Sequence, residues 1–400
     1  MELTVGDVIT QCVLDEFAKL PAARKPTIRS NGIHEWVPCS GIVAKFGGHF
    51  KCICLGTGMK CLPASKLPQA NGNAIHDWHA EIVTLRALNL FLLSECENIL
   101  RDGSYKSDVI EQCQDSARPF RVKPGVTFHM YCSEAPCGDA SMELIMAAQE
   151  DATPWADHPN PTGSDNAIPL PGRRGFANLG VVRRKPGRGD APVSLSKSCS
   201  DKIAIRQCTS FLSWSSSMLI SPERAYMTSL VLPEAQYSHT GLSRCFASTG
   251  RMQKLAKLRW EGGYSFHELQ FHATKLEFPY SRRVLEAQSY AIAPCNMSVT
   301  WTASGFEERT LGGFVLGRKP FDPKAASALS RRRVWERLLS ITSLMYATHH
   351  DINNHLSMSS YSEAKACKTL QDRRAVQKYV KEYGLSGWVR NEGDDVFKLQ

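Results

Sequence analysis

Two short motifs, each at the expected start of a helix, constrain this chain most. His79-Ala80-Glu81 opens a long helical pattern in which Val83, Leu85, Leu88, Leu92 and Leu93 recur to about Leu100. Asp77 reads as the cap of that helix. Pro136-Cys137-Gly138-Asp139 follows a strand pattern over Val126 to Ser133, with Val126, Phe128, Met130 and Cys132 on one face. Pro136 suits the start of a second helix, Cys137 to about Glu150. Strand followed by helix repeats near Ser194 to Ser198 and Asp201 to Ser215. This alternation predicts an α/β layered fold.

The rest of the chain fits that frame. A first helix is expected over about Val5 to Leu20. Strands over Trp36 to Phe46 and His49 to Cys54 flank Gly47-Gly48, a hairpin signal. Later strands are expected near Ser229 to Pro233, Tyr264 to His272 and Met297 to Thr302, and helices near Ala325 to Tyr346 and Ser362 to Tyr383. The Pro- and Gly-rich stretch at about 153–190 reads as a loop insertion, and residues 1–400 as a single domain. No run of about 18 apolar residues predicts a membrane span, and the N-terminus does not read as a secretory signal. The fourteen cysteines are scattered, so free or metal-bound thiols in a reducing compartment, cytoplasm or nucleus, are expected. A net charge of +9 suits a polyanionic partner such as RNA, although mild basicity alone excludes little.

The motifs suit zinc chemistry on a nucleobase. One histidine and two cysteines leave a fourth metal position for water, whose pKa the metal lowers. A carboxylate beside the metal takes the water proton and returns it to the base nitrogen and the leaving ammonia. His79 and Cys137 fit the metal role, and Glu81 fits the catalytic one. The usual signature pairs H-x-E with P-C-x-x-C, but Ala140 stands where the second cysteine belongs. Cys199 is the leading replacement, because it sits at a strand-to-helix junction as Cys137 does and a helix N-terminus favours a thiolate. Cys132, Cys208 and Cys96 compete with it, and His76 and His129 are not expected to be ligands.

Further stretches carry a resemblance. They are Gly58-Met59-Lys60-Cys61-Leu62-Pro63, Asp77 to Ile82, Ser133 to Asp139, Gly180 to Asp190, Ser198-Cys199-Ser200-Asp201-Lys202-Ile203-Ala204, Tyr361 to Lys365 and Leu385 to Val389. On these the chain resembles the eukaryotic adenosine deaminases that act on RNA, most closely their tRNA-specific branch. The resemblance implies a cytidine-deaminase-like mixed sheet flanked by helices, with an extended C-terminal half. It implies zinc, hydrolysis of adenosine to inosine, and a substrate adenosine immediately 3′ of the anticodon in alanine tRNA. It also implies a buried inositol hexakisphosphate, for which Asp77, Arg86, Lys202, Tyr361, Lys365 and Trp388 match family positions, and Arg374 and Arg331 match more loosely. The family often continues its third zinc motif as A-R-W-N, whereas this chain has Ala204-Ile205-Arg206-Gln207.

For RNA, Lys60 matches a substrate-side position of the family, and Arg183, Arg184, Lys185 and Arg188 are candidates to track phosphate. Deaminase-like sequence begins near the N-terminus, which favours a tRNA substrate over long duplex RNA, and no obligate protein partner is expected. Three other readings stay open: an editor of other structured or double-stranded RNA, an inactive RNA-binding module, and a deaminase of free nucleosides. The presence of Glu81 argues against the inactive module, since a structural zinc site has no need of that carboxylate.

Overall fold

The computed structural model describes residues 3–113, 118–148, 170–171, 178–185 and 191–399. Most of the expected loop insertion at 153–190 lies outside the described residues, and Arg188 with it.

Eight strands form one mixed sheet. In chain order they are β1 (Cys39–Phe46), β2 (His49–Thr57), β3 (Thr127–Cys132), β4 (Met227–Pro233), β5 (Gln270–Thr274), β6 (Met297–Thr302), β7 (Glu307–Leu311) and β8 (Phe314–Val315). They lie side by side as β5-β4-β3-β1-β2-β6-β7-β8. β3 pairs with β4, and β4 with β5, in parallel, while the other neighbours are antiparallel. The β1–β2 hairpin turns on Gly47 and Gly48 at φ +54° and +82°, the left-handed pair that a tight two-residue turn requires.

The main helices are α1 (Val5–Lys19), α2 (Ala80–Arg101), α3 (Cys199–Ala204), α4 (His239–Phe246), α5 (Arg331–Leu344), α6 (Tyr346–Met358), α7 (Tyr361–Ala366) and α8 (Gln371–Tyr383). α1 and α2 cover opposite faces of the sheet. On β1, Ile42 and Ala44 join a core with Leu85, Leu88 and Leu92 of α2. The alternate residues Cys39 and Val43 join a second core with Ile9, Val13 and Phe17 of α1. Burial on both faces explains why β1 and β2 read as nearly continuous apolar runs. Each buried aliphatic side chain contributes roughly 1.5–3 kcal/mol. Gly56 on β2 lets α2 approach closely, since a Cβ there would lie 2.8 Å from Val83 Cγ1. The C-terminal helices are joined to this body through Trp335, which is fully buried and edge-on to Trp214 and Tyr361 at 6.5 and 5.8 Å.

Several expected elements are shorter than their sequence patterns. The helix expected from Cys137 starts only at Met142, after a 3-10 turn over Asp139–Ser141, because Gly138 takes φ +105°. Ser194 to Ser198 is not a ladder strand and makes one isolated bridge, Lys197 with Arg184. The helix expected over Asp201 to Ser215 splits into α3 and Arg206–Thr209, ending where Ser210 adopts φ +60°. Tyr264 to His272 divides into Tyr264–Ser265 and the start of β5. Asp77 is not the cap of α2; His79 holds that position, although its backbone N–H donates to Asp77 Oδ1 at 3.1 Å.

His129, on β3, is buried and hydrogen-bonded to Ser229 Oγ at 2.8 Å and Thr127 Oγ1 at 2.9 Å. Burial, with help from His272 and Lys45, pushes its imidazole down from 6.5 to about 4. The unfolded chain therefore takes up this proton first as pH falls. The contribution of neutral His129 is complete above about pH 6.5 and is lost as pH drops toward 4. The urea midpoint of the wild type should fall across that window more steeply than that of H129Q. Parallel slopes would show that His129 does not carry the effect.

Candidate active site

His79 begins α2 with extended backbone, so its imidazole stands at the mouth of the helix while Glu81 sits buried in the first turn. His79 Nδ1 lies 2.8 Å from Asp77 Oδ1 and 3.2 Å from the Lys60 carbonyl. With Nδ1 as the donor, the lone pair is on Nε2, the arrangement of a metal-ligating histidine. Burial raises the Glu81 carboxyl, and the neighbouring Cys137 raises it further. A carboxyl raised in this way holds a proton more readily than a free one, which suits a group that takes up and returns protons.

The two cysteine segments meet beside this histidine. The Cys199 backbone N–H donates to Cys137 Sγ at 3.4 Å. Gly138 permits the approach, because a Cβ on it would lie 2.3 Å from Ser198 Oγ. Ser198 caps α3 by accepting the Asp201 N–H at 3.1 Å, which puts Cys199 in the first turn. Of the two thiols, Cys137 is the one drawn toward thiolate, by the Cys199 hydrogen bond and then by Lys185 and His79. Cys199 pairs with Cys137 while the competing cysteines lie elsewhere. Cys132 sits in β3 against Ser40 Oγ at 3.5 Å, and Cys96 and Cys208 are packed in the apolar core. Ala140 fills buried space in the 3-10 turn, and its N–H donates to Ser200 Oγ at 3.2 Å. Among the described residues, no three His, Cys, Asp or Glu side chains already stand at metal-binding spacing.

Behind the thiols lies a buried charge bridge. Lys185 Nζ donates to Cys199 Sγ at 3.2 Å and to Asp77 Oδ2 at 2.8 Å. Lys202 also donates to Asp77, as does Ser196 Oγ at 3.0 Å. Burial would push the Asp77 carboxyl up, but Lys185, Lys202 and His79 outweigh it and hold it well below the usual carboxylate range. Burial likewise opposes the Lys185 charge, yet Asp77 and both cysteines keep it protonated. The expectation that Lys185 and Arg183 track RNA phosphate is therefore corrected. Lys185 is committed to Asp77 and Cys199, and Arg183 is 0% exposed, with Nη2 donating to the Asn178 carbonyl at 2.6 Å. Arg184 is half-buried. Lys60 is exposed and donates to Asn296 Oδ1 beside the His79 imidazole.

Beyond the bridge, cations from distant segments converge. Arg86, Lys202, Tyr361, Lys365 and Trp388, expected from the sequence, are joined by Arg331. Lys365 and Arg331 stand 5.3 and 5.4 Å over the Tyr361 ring. Lys197 and Lys381, which the sequence reading missed, stand 5.5 and 5.6 Å over the Trp388 ring. Arg206 and Arg373 were missed as well. Burial, then Arg373 and Arg86, pushes Arg206 down to about 10. Burial, then Lys202 and Lys381, pushes Lys197 down to about 7. Lys365 keeps accessible surface, yet the protein around it, then Arg331 and Arg373, pushes it down to about 8. The Nε atoms of Arg86 and Arg373 are buried with no hydrogen-bond partner among the described residues. The i, i+4 spacing of Lys202 and Arg206 was the legible signal for one of these.

Two expected contacts do not join this cluster. Arg374 turns away and donates to the Lys365 and Cys367 carbonyls at 3.1 and 2.6 Å, bracing the turn between α7 and α8. Asp77 belongs to the bridge, where its negative charge holds lysines and would repel an anion.

The family model for the adenosine-deaminase (editase) domain matches residues 54–392. The chain is 33% identical over 397 residues to tRNA-specific adenosine deaminase 1 of Schizosaccharomyces pombe, covering 98% of this chain and 96% of that one. It is 34% identical over 216 residues to the Saccharomyces cerevisiae protein of the same name, covering 52% and 54%. It is 28% identical over 345 residues to the double-stranded RNA-specific editase Adar of Drosophila melanogaster, covering 78% of this chain and 44% of that one. A domain match that runs through both cysteine segments, together with a relative aligned almost end to end, makes this chain a member of the adenosine-deaminase (editase) domain family and an adenosine-deaminating enzyme.

Proposed function

We propose that this protein hydrolyses adenosine to inosine in tRNA, at the adenosine 3′ of the anticodon of alanine tRNA, with residues 1–400 acting as one deaminase domain. The contact between Cys137 and Cys199 beside His79 and buried Glu81 carries the chemical part of this reading. The near end-to-end likeness to a tRNA-specific relative supports the substrate. Fourteen cysteines with no disulfide among them suit a reducing compartment, cytoplasm or nucleus.

The donor set fits zinc. Two cysteines joined by the Cys199 N–H to Cys137 Sγ hydrogen bond, a histidine whose Nδ1 is engaged, and a charge-compensating lysine suit a tetrahedral N/S site with one open position. His79, Cys137 and Cys199 would hold the metal, and the bound ion supplies Lewis-acid activation of water at neutral pH. Glu81 would accept a proton from the attacking water and pass it to the purine nitrogen, then move the remaining hydroxyl proton to the departing amino group, so that adenosine and water become inosine and ammonia. Asp77 orients His79 through Nδ1, and Lys185 offsets the negative charge of the thiolates. Lys60, at the exposed rim, meets the RNA, with Arg184 and Arg188 as further phosphate contacts.

The converging cations fit a buried polyanion. Arg86, Lys197, Lys202, Arg206, Arg331, Lys365, Arg373 and Lys381 repel one another, and such a cluster is costly unless an anion pairs with it. Inositol hexakisphosphate matches the number of donors and the Tyr361 and Trp388 walls.

A second reading, deamination of duplex RNA, draws on the likeness to the Drosophila editase. Inosine mapping decides between them: the protein should convert alanine tRNA at one site and leave a long duplex largely unchanged, and a duplex preference would reverse the assignment. E81Q should keep its zinc by elemental analysis but lose at least about 100-fold in turnover; an active E81Q would remove the proton role. C199A should lose its zinc. Mass spectrometry of the denatured, purified protein should release an inositol polyphosphate, and a clean spectrum would refute the cofactor.

A further inference from the structure

Each candidate zinc cysteine is followed two residues later by an aspartate, in Cys137-Gly138-Asp139 and Cys199-Ser200-Asp201. Both aspartates are fully buried, and both are met by arginines from one short stretch, α4 and the turn after it. Arg244 Nε donates to Asp139 Oδ2 at 2.9 Å, and its Nη2 donates to the Asp139 carbonyl at 2.8 Å. Arg251 Nη1 donates to Asp201 Oδ1 at 2.6 Å, and its Nε donates to the Cys245 carbonyl at 3.1 Å, which ties it back to α4.

The remaining carboxylate oxygens are also engaged. The Gly180 N–H donates to Asp139 Oδ1 at 2.8 Å. Ser198 Oγ and the Arg183 N–H donate to Asp201 Oδ2 at 2.6 and 2.9 Å. The two cysteine segments lock to each other as well, through the Ser200 N–H to the Cys137 carbonyl at 3.0 Å and Ser200 Oγ to the Pro136 carbonyl at 2.9 Å. A guanidinium held on a buried carboxylate fixes direction as well as position. Two such anchors, rooted seven residues apart on α4 and the turn after it, leave little freedom in how far apart the thiols sit.

The geometry points to Arg244 and Arg251 as positioning residues that set the spacing of Cys137 and Cys199, each by clamping the aspartate two residues beyond its cysteine. This rests on reading the two cysteines as zinc ligands. Residues that orient metal ligands from outside the coordination sphere typically change metal affinity by about 10- to 100-fold when removed.

The test compares the full chain as wild type, R244A, R244K, R251A, R251K and C199A. Zinc affinity is read by competition with a chromophoric chelator. Thiolate geometry is read from the charge-transfer and ligand-field bands of the cobalt-substituted protein, and folding from circular dichroism. The alanine variants should bind zinc about 10- to 100-fold less tightly and shift the cobalt bands. Their kcat should fall while KM for tRNA holds, and the lysine variants should recover part of each loss. If an alanine variant does not fold, its lysine partner carries the same comparison. Wild-type zinc affinity and cobalt spectra in the variants that fold would overturn the proposal and leave the arginines as supports of stability alone. A C199A that holds zinc like the wild type would instead overturn the ligand reading, whatever the arginine variants do.

Discussion

The Asp77 carboxylate has almost no water to solvate it, at 2% exposure, and everything around it answers that fact. Lys185, Lys202, Ser196 and the His79 imidazole all turn toward it. A buried charge is tolerable only when partners and hydrogen bonds replace its lost solvation. Here those partners are residues of the proposed active site. One lysine reaches on to Cys199, the histidine is held through its Nδ1, and the other lysine leads toward the converging cations. A single carboxylate thus couples the orientation of the nitrogen donor, the charge balance of the sulfurs and the edge of the basic cluster.

The second dependence runs the other way in sign. The cluster gathers cations from α2, the turn before α3, the segment after α3, α5, α7 and α8, so it lies where the two halves of the chain meet. Aromatic walls at Tyr361 and Trp388 take up part of the charge by cation–π contact. Such contacts are worth about 0.5–2 kcal/mol each, too little to balance so many converging, largely half-buried cations. A polyanion at this junction would act as a structural core for the C-terminal helices, which also pack on the body through Trp335 and through Leu338, Ile341, Val376 and Val380. Folding of the C-terminal half and integrity of the active site would then depend on the same ligand.

Much of this was legible in the chain because it is local. The hairpin at Gly47-Gly48, the strand before Cys137 and the long helix after His79 follow from turn chemistry and from periods of two and 3.6 residues. Ala140 cannot ligate, so a replacement cysteine was expected, but Cys132, Cys208 and Cys96 stayed in competition with Cys199 until packing set Cys199 against Cys137. Less legible were elements ended by single backbone choices, as at Gly138 and Ser210, where no apolar period is interrupted to announce the break.

Arg183 and Lys185 show where such reading stops. Their sequence neighbours form a basic run, and a basic run is normally a solvated face. The partner of Lys185, Asp77, lies 108 residues away, and only packing shows that Lys185 and the fully buried Arg183 are spent inside. Arg373 and Arg374 are adjacent, yet a helix sends one inward and the other onto backbone carbonyls. The sequence by itself determined the donor types, the α/β alternation and the family, because residue identity and short spacing carry those. The tertiary structure alone decided which charges meet, because burial and pairing depend on segments brought together from 50 to more than 300 residues apart.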